Sequence, residues 1–101
     1  MQLLDIPFNE WSRKRVLDGS KTATSRTKRY GNYGDYFKVD DQVFELDLVV
    51  KLPLWFISEY LSASEGAISK TEFIKVWIEI HPIKGWIQNQ EVFYHHFKRK
   101  E

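Results

Sequence analysis

The sequence predicts an α+β domain built on a small, partly closed barrel. Three observations carry that expectation. Residues 43–52 and 91–98 alternate apolar and polar side chains with the period of a strand. Residues 10–18, 54–61 and 69–80 carry apolar residues at helical intervals or between helix-cap signals. The helices cluster between strands instead of alternating with them one for one, which favours α+β over a parallel α/β sheet. A small sheet must also cover its faces and protect its edges, and curling does both. With 101 residues the chain makes one domain, residues 1–101, with a modest core.

In order along the chain, Met1–Ile6 is an apolar start, read as an edge strand or extended arm. Asn9 has the side chain of a helix cap for Glu10–Asp18, whose apolar residues are Trp11, Val16 and Leu17. Ser12, Arg13 and Lys14 are expected to face solvent. Gly19 is suited to a left-handed stop. Lys21–Arg26 reads as a short strand. Thr27–Phe37, with two Gly, one Asn, one Asp and three Tyr, reads as a loop, and Lys38–Asp41 as a tight turn. In the long strand Val43–Leu52, alternation sends Phe44, Leu46, Leu48 and Val50 one way and Glu45, Asp47 and Lys51 the other.

Pro53 is fit for the first position of a helix continuing through Leu61. Ser62–Ile68 is a small-residue loop, and Ser69-Lys70-Thr71-Glu72 has the spacing of a capping box. The helix after it carries Phe73, Val76, Trp77 and Ile80 on one stripe, so Trp77 is expected in the core; His81-Pro82 ends it. Glu91–Lys98 is the closing strand, with Val92, Tyr94 and His96 opposite Phe93, His95 and Phe97, and Lys98–Glu101 is expected to fray. His95 and His96 point to opposite faces and do not form a metal site.

Composition narrows function. There is no cysteine, which excludes disulfides, thiolate zinc sites and cysteine nucleophiles and fits a cytoplasmic protein. No apolar run approaches the roughly 20 residues needed to span a bilayer, and no signal-peptide pattern is expected. The net charge of +1 is unevenly spread. Residues 1–38 hold eight Lys/Arg against four Asp/Glu, and residues 39–101 hold seven against ten. The basic excess surrounds Lys21-Thr22-Ala23-Thr24-Ser25-Arg26 and favours a phosphate-bearing partner. In a strand Thr22, Thr24 and Arg26 share a face, and an ammonium, hydroxyls and a guanidinium so gathered bind an anion or activate a hydroxyl.

A helix ending in Gly19, followed by Lys21-Thr-x-Thr-x-Arg26, resembles the ASCH domain of the PUA-like superfamily. Glu65-Gly66, Ser69-x-x-Glu72, His81-Pro82 and the closing strand with Tyr94 and Phe97 extend the resemblance over residues 8–98. It implies a PUA-like β-barrel of mixed strands flanked by helices. Among such domains the chain is most similar in length and motif to small amidohydrolases that remove the acetyl group from N4-acetylcytidine. That similarity implies Lys21, Thr24 and Glu65 as a catalytic set, with Glu72 the rival acid, and no cofactor. Thr24 would attack the acyl carbon, Lys21 with a lowered pKa would take its proton, Glu65 would pass a proton to the leaving amine, and Arg26 or backbone N–H groups would hold the oxyanion. A regular strand sets Lys21 and Thr24 on opposite faces, so the mechanism requires a bend after Gly19. The aromatic loop Tyr30–Phe37 is longer than the resemblance leads one to expect.

The substrate expected from this resemblance is a modified nucleoside, free or within RNA. The alternative is a non-catalytic module that binds single-stranded RNA or tRNA. There Arg13, Lys14, Lys21, Arg26, Lys28 and Arg29 would meet phosphates, and Tyr30, Tyr33 or Tyr36 would stack on unpaired bases. Thr22 and Tyr94 are expected, with Arg26, Lys28, Arg29, Tyr30 and Tyr33, among the residues that bind substrate or RNA.

Overall fold

The computed structural model describes residues 1–100. Helix α1 (Glu10–Asp18) is followed by β1 (Ala23–Arg26), β2 (Tyr36–Val39) and β3 (Gln42–Pro53). Helices α2 (Leu54–Tyr60) and α3 (Lys70–Ile80) come next, and β4 (Glu91–Lys100) closes the chain. The strands form one curled sheet, a half-barrel in the order β1-β4-β3-β2. Every strand pair in it is antiparallel, so the expected mixture of directions is reduced to one parallel bridge, Leu3 to Tyr36, made by the N-terminal arm.

Local chemistry explains the element ends. The Asn9 side chain accepts a hydrogen bond from the Ser12 N–H, at 2.8 Å, and Gly19 stops α1 at φ 87°. Ser69 Oγ accepts from the Glu72 N–H, and Glu72 Oε1 reaches back to the N–H of Ile68. Pro53 stands as the cap of α2, one place earlier than expected, because it still pairs with Glu91 in the sheet.

Three expectations are corrected by long-range pairing. Tyr36–Val39 is a strand, not the end of a loop. It pairs with β3 through a two-residue turn, Asp40-Asp41, in which Asp40 takes a left-handed φ of 53°. Within β3, Leu46 faces Phe97 and Leu48 faces His96 on β4, so Asp47 is an extra residue. That bulge flips the alternation. Leu48 is 50% exposed, while Val49 joins Phe44 and Leu46 against one core and Val50 and Leu52 pack against another. Lys98–Lys100 do not fray but continue β4 against Val43–Glu45; Glu101 lies outside the described residues.

The sheet is covered on both faces, giving two apolar clusters. Leu4, Ile6, Val16, Phe37, Val39, Phe44, Leu46 and Phe97 form one, which joins the arm and α1 to the sheet. Ala23, Leu54, Ile57, Ala67, Phe73, Trp77, Val92 and Tyr94 pack beneath α2 and α3. β1 lies at one sheet edge, with Ala23 in the second cluster, and the candidate site forms there.

Candidate functional site

The site is built where α1 hands over to β1. Pairing with β4 begins only at Ala23, so Lys21 precedes the regular strand and escapes its alternation. Its N–H bonds to the carbonyl of Arg15 at the end of α1, and the next two N–H groups both donate to the Ser64 carbonyl, at 2.7 and 2.9 Å. That supplies the bend the sequence argument required. It also clamps the loop Ser62–Ala67 onto the mouth of β1. Ser64 is held further by Tyr94, whose hydroxyl lies 2.6 Å from Ser64 Oγ. Gly66 lets the clamp close. It takes a φ of 93°, and a Cβ there would lie 3.0 Å from the Cβ of Lys21 and 3.2 Å from the Cδ of Arg15.

The clamp brings Glu65 over Lys21. Lys21 Nζ donates to the Glu65 backbone carbonyl at 2.9 Å and lies 3.2 Å from Glu65 Oε1. The other carboxylate oxygen, Oε2, accepts from Ser25 Oγ at 2.6 Å. Lys21 is 5% exposed and Glu65 3%. Burial pulls the Lys21 ammonium below the ordinary lysine value, with Glu65 opposing the shift. Thr24 is buried beside them, and its Oγ1 accepts from Arg26 Nε at 3.0 Å. The Arg26 guanidinium also donates to the Pro7 carbonyl at 2.6 Å and lies over the rings of Phe8 and Tyr30.

These groups open onto one cavity of about 450 Å³. Lys21, Thr24, Ser25, Arg26 and Glu65 line its polar part. Phe8, Trp11, Tyr30, Phe73 and Trp77 supply aromatic walls, and Lys28 and His81 also border it. The volume suits a small-molecule ligand, and a polar end set among aromatic walls suits a flat ring carrying a polar substituent. The exposed side of the α3 stripe therefore serves as cavity wall while Phe73 and Trp77 also pack in the core. Ser12, expected on the surface, is buried and borders the same cavity.

Not every residue singled out in the sequence reaches this cavity. Lys21, Thr24, Glu65, Arg26, Lys28 and Tyr30 line it; Thr22, Arg29, Tyr33 and Tyr94 do not. Thr22 borders a separate, smaller hollow of about 170 Å³ beside Phe97 and Arg99. Arg29 is bonded to Gly31 and Asn32, and Tyr33 is 78% exposed. Tyr94 is buried in the second core, where it supports the clamp through Ser64. Glu72 is outside the cavity too, engaged at the start of α3.

Sequence reasoning missed two residues. Alternation turns Ser25 away from the face shared by Thr24 and Arg26, and that turn aims it at Glu65. His95 is fully buried, and its two ring nitrogens hold β1 to the aromatic loop. Nε2 accepts from the Tyr30 N–H at 3.1 Å, so the proton of the neutral ring sits on Nδ1 and is donated to the Thr24 carbonyl, also at 3.1 Å. Burial holds this imidazole below its usual pKa, which keeps it neutral.

The fold has solved counterparts. An ASCH domain from Lactobacillus crispatus JV V101 superposes with a TM-score of 0.68 and 19% identity, covering 97% of this chain and 78% of that one. Hypothetical protein PH0355 superposes with a TM-score of 0.72 and 13% identity, covering 99% of this chain and all of that one. Protein EF3133 from Enterococcus faecalis V583, of family DUF984, gives 0.66 and 15%, covering 98% and 75%. No protein-family model matches the chain. No curated protein matches it by sequence. The chain thus has the α+β fold seen in that ASCH domain. No helix among the described residues is long and apolar enough to cross a membrane.

Proposed function

We propose that the protein is a small amide hydrolase that removes an acyl group from the exocyclic amine of N4-acylated cytidine-type nucleosides. One observation carries the reading. A buried lysine and glutamate, 3.2 Å apart, stand at the polar end of an aromatic-walled cavity with hydroxyl side chains beside them. A buried ion pair of this kind is a weak device for stability, since desolvation offsets most of the attraction. A proton relay gives it a use. The aromatic walls sandwich the base, and the acyl group points toward Lys21, Glu65 and the β1 hydroxyls. Glu65, held by the Lys21 ammonium, takes up the proton that attack on the acyl carbon releases and passes it to the leaving amine. Arg26, which also lines the cavity, stabilises the charge that develops on the acyl oxygen.

The test is incubation of the protein with N4-acetyl-, N4-propionyl- and N4-benzoylcytidine, followed by chromatography. Release of cytidine with the matching carboxylic acid is expected, at least from the acetyl substrate. No release from any of the three contradicts the reading. A second reading, a non-catalytic module for single-stranded RNA or tRNA, draws on the cavity lip. There the Lys28 ammonium lies 4.7 Å from the Tyr30 ring centre and Arg29 is exposed next to it. RNA affinity that falls steeply with salt, alongside inert acylcytidines, favours that reading instead.

A further inference from the structure

Two hydroxyls line the cavity on β1, and their partners differ. Thr24 Oγ1 accepts from the guanidinium of Arg26. Among the described residues no carboxylate or amine is bonded to the Thr24 hydroxyl so as to take its proton. Ser25 Oγ stands 2.6 Å from Glu65 Oε2, and the opposite oxygen of that carboxylate is held by Lys21. A nucleophile needs its base within hydrogen-bond reach and the base oriented by a third group, and Ser25-Glu65-Lys21 meets both conditions. From this geometry we infer that Ser25, not Thr24, is the nucleophile, and that Thr24 holds Arg26 in place.

The inference rests on the hydrolase reading above, and its chemistry balances as follows. Ser25 Oγ bonds to the acyl carbon as its proton passes to Glu65. The C–N bond then breaks, and Glu65 returns that proton to the leaving nitrogen, giving free amine and acyl-Ser25. Water adds to the acyl carbon, its proton goes to Glu65, and the C–Oγ bond breaks as the proton is restored to Ser25. Lys21 remains the counter-charge that keeps Glu65 oriented. Each acyl transfer consumes one water and yields one carboxylic acid and one amine.

An activated ester tests the nucleophile apart from the nucleoside. Wild-type protein mixed with p-nitrophenyl acetate, quenched in acid within seconds and digested, should carry one acetyl group on Ser25. Tandem mass spectrometry separates residue 25 from residue 24. Ser25→Ala should lower the p-nitrophenolate burst at least about 100-fold. If that variant folds poorly, as judged by near-ultraviolet circular dichroism, the wild-type adduct map decides alone. An acetyl group on Thr24 or Lys21, no site-specific adduct, or a folded Ser25→Ala with a wild-type burst overturns the inference. An adduct on Ser25 with no turnover of any acylated cytidine upholds the nucleophile and sinks the nucleoside substrate. Turnover of N4-acetylcytidine that survives in folded Ser25→Ala sinks the nucleophile and upholds the substrate.

Discussion

Among the described residues Lys21 is the lysine at the polar end of the cavity, and it is the most deeply buried lysine. Those two properties make its substitutions hard to interpret unless stability is measured alongside activity. Lys21→Ala leaves the Glu65 carboxylate buried without a partner, and such losses cost about 3–5 kcal/mol. The variant should therefore show a lower urea midpoint as well as no hydrolysis. Glu65→Gln is the cleaner probe, because it keeps side-chain size and an acceptor for Lys21 while removing the carboxylate that carries the proton. A marked loss of turnover is expected, with circular dichroism like that of the wild type. Full activity in Glu65→Gln would remove the relay from the mechanism. At this scale Lys21, Thr24 and Arg26 were legible because they sit within one short motif. Ser25 lies in the same motif, but its partner is forty residues away and no local pattern announces the contact.

At the scale of elements, the loop between α2 and α3 decides whether the acid reaches the site. Gly66 holds a left-handed conformation and leaves no room for a Cβ against Lys21. Gly66→Ala should cost about 1–3 kcal/mol. It should also lower kcat, since relief of the contact moves Glu65 from Lys21 and Ser25. Differential scanning calorimetry and steady-state kinetics on the same preparation check both. The start of α3 offers the contrasting case. Ser69→Ala removes a helix cap worth about 1 kcal/mol, and Glu72→Ala removes the bond back to Ile68. Both should lower the melting temperature and leave hydrolysis at the wild-type level; loss of activity in Glu72→Ala would restore it as the acid. The caps at Asn9 and Ser69 and the stop at Gly19 were legible because they depend on residues three or four apart. β2 and the Asp47 bulge were not. Tyr36–Val39 becomes a strand through its pairing with β3, and the bulge shows only against β4.

Across the whole molecule, β4 serves both apolar cores, sending Phe97 into one and Val92 and Tyr94 into the other, and His95 lies between them along the strand. Its neutral ring is bonded on both nitrogens, and burial lowers its pKa below the ordinary histidine value of about 6.5. A depressed folded pKa means that the unfolded chain binds the proton more readily. The stabilisation is thus present above about pH 6.5 and is lost as pH falls from there through the folded value. Urea midpoints measured from pH 8 to pH 5.5 should fall for the wild type and change less for His95→Gln. Equal slopes would show that His95 is not the group responsible. The α+β class and the barrel were readable from alternation and caps together. The two-core arrangement was not, because it follows from the bulge that moves β3 from one core to the other.

The most direct measurement is kcat/KM for acetate release from N4-acetylcytidine by the wild type and by Glu65→Gln, taken between pH 6 and pH 9. If the buried lysine–glutamate pair is a proton relay, the wild type turns over across this range and Glu65→Gln loses at least about 100-fold at every pH. Equal values for the two proteins would contradict the account.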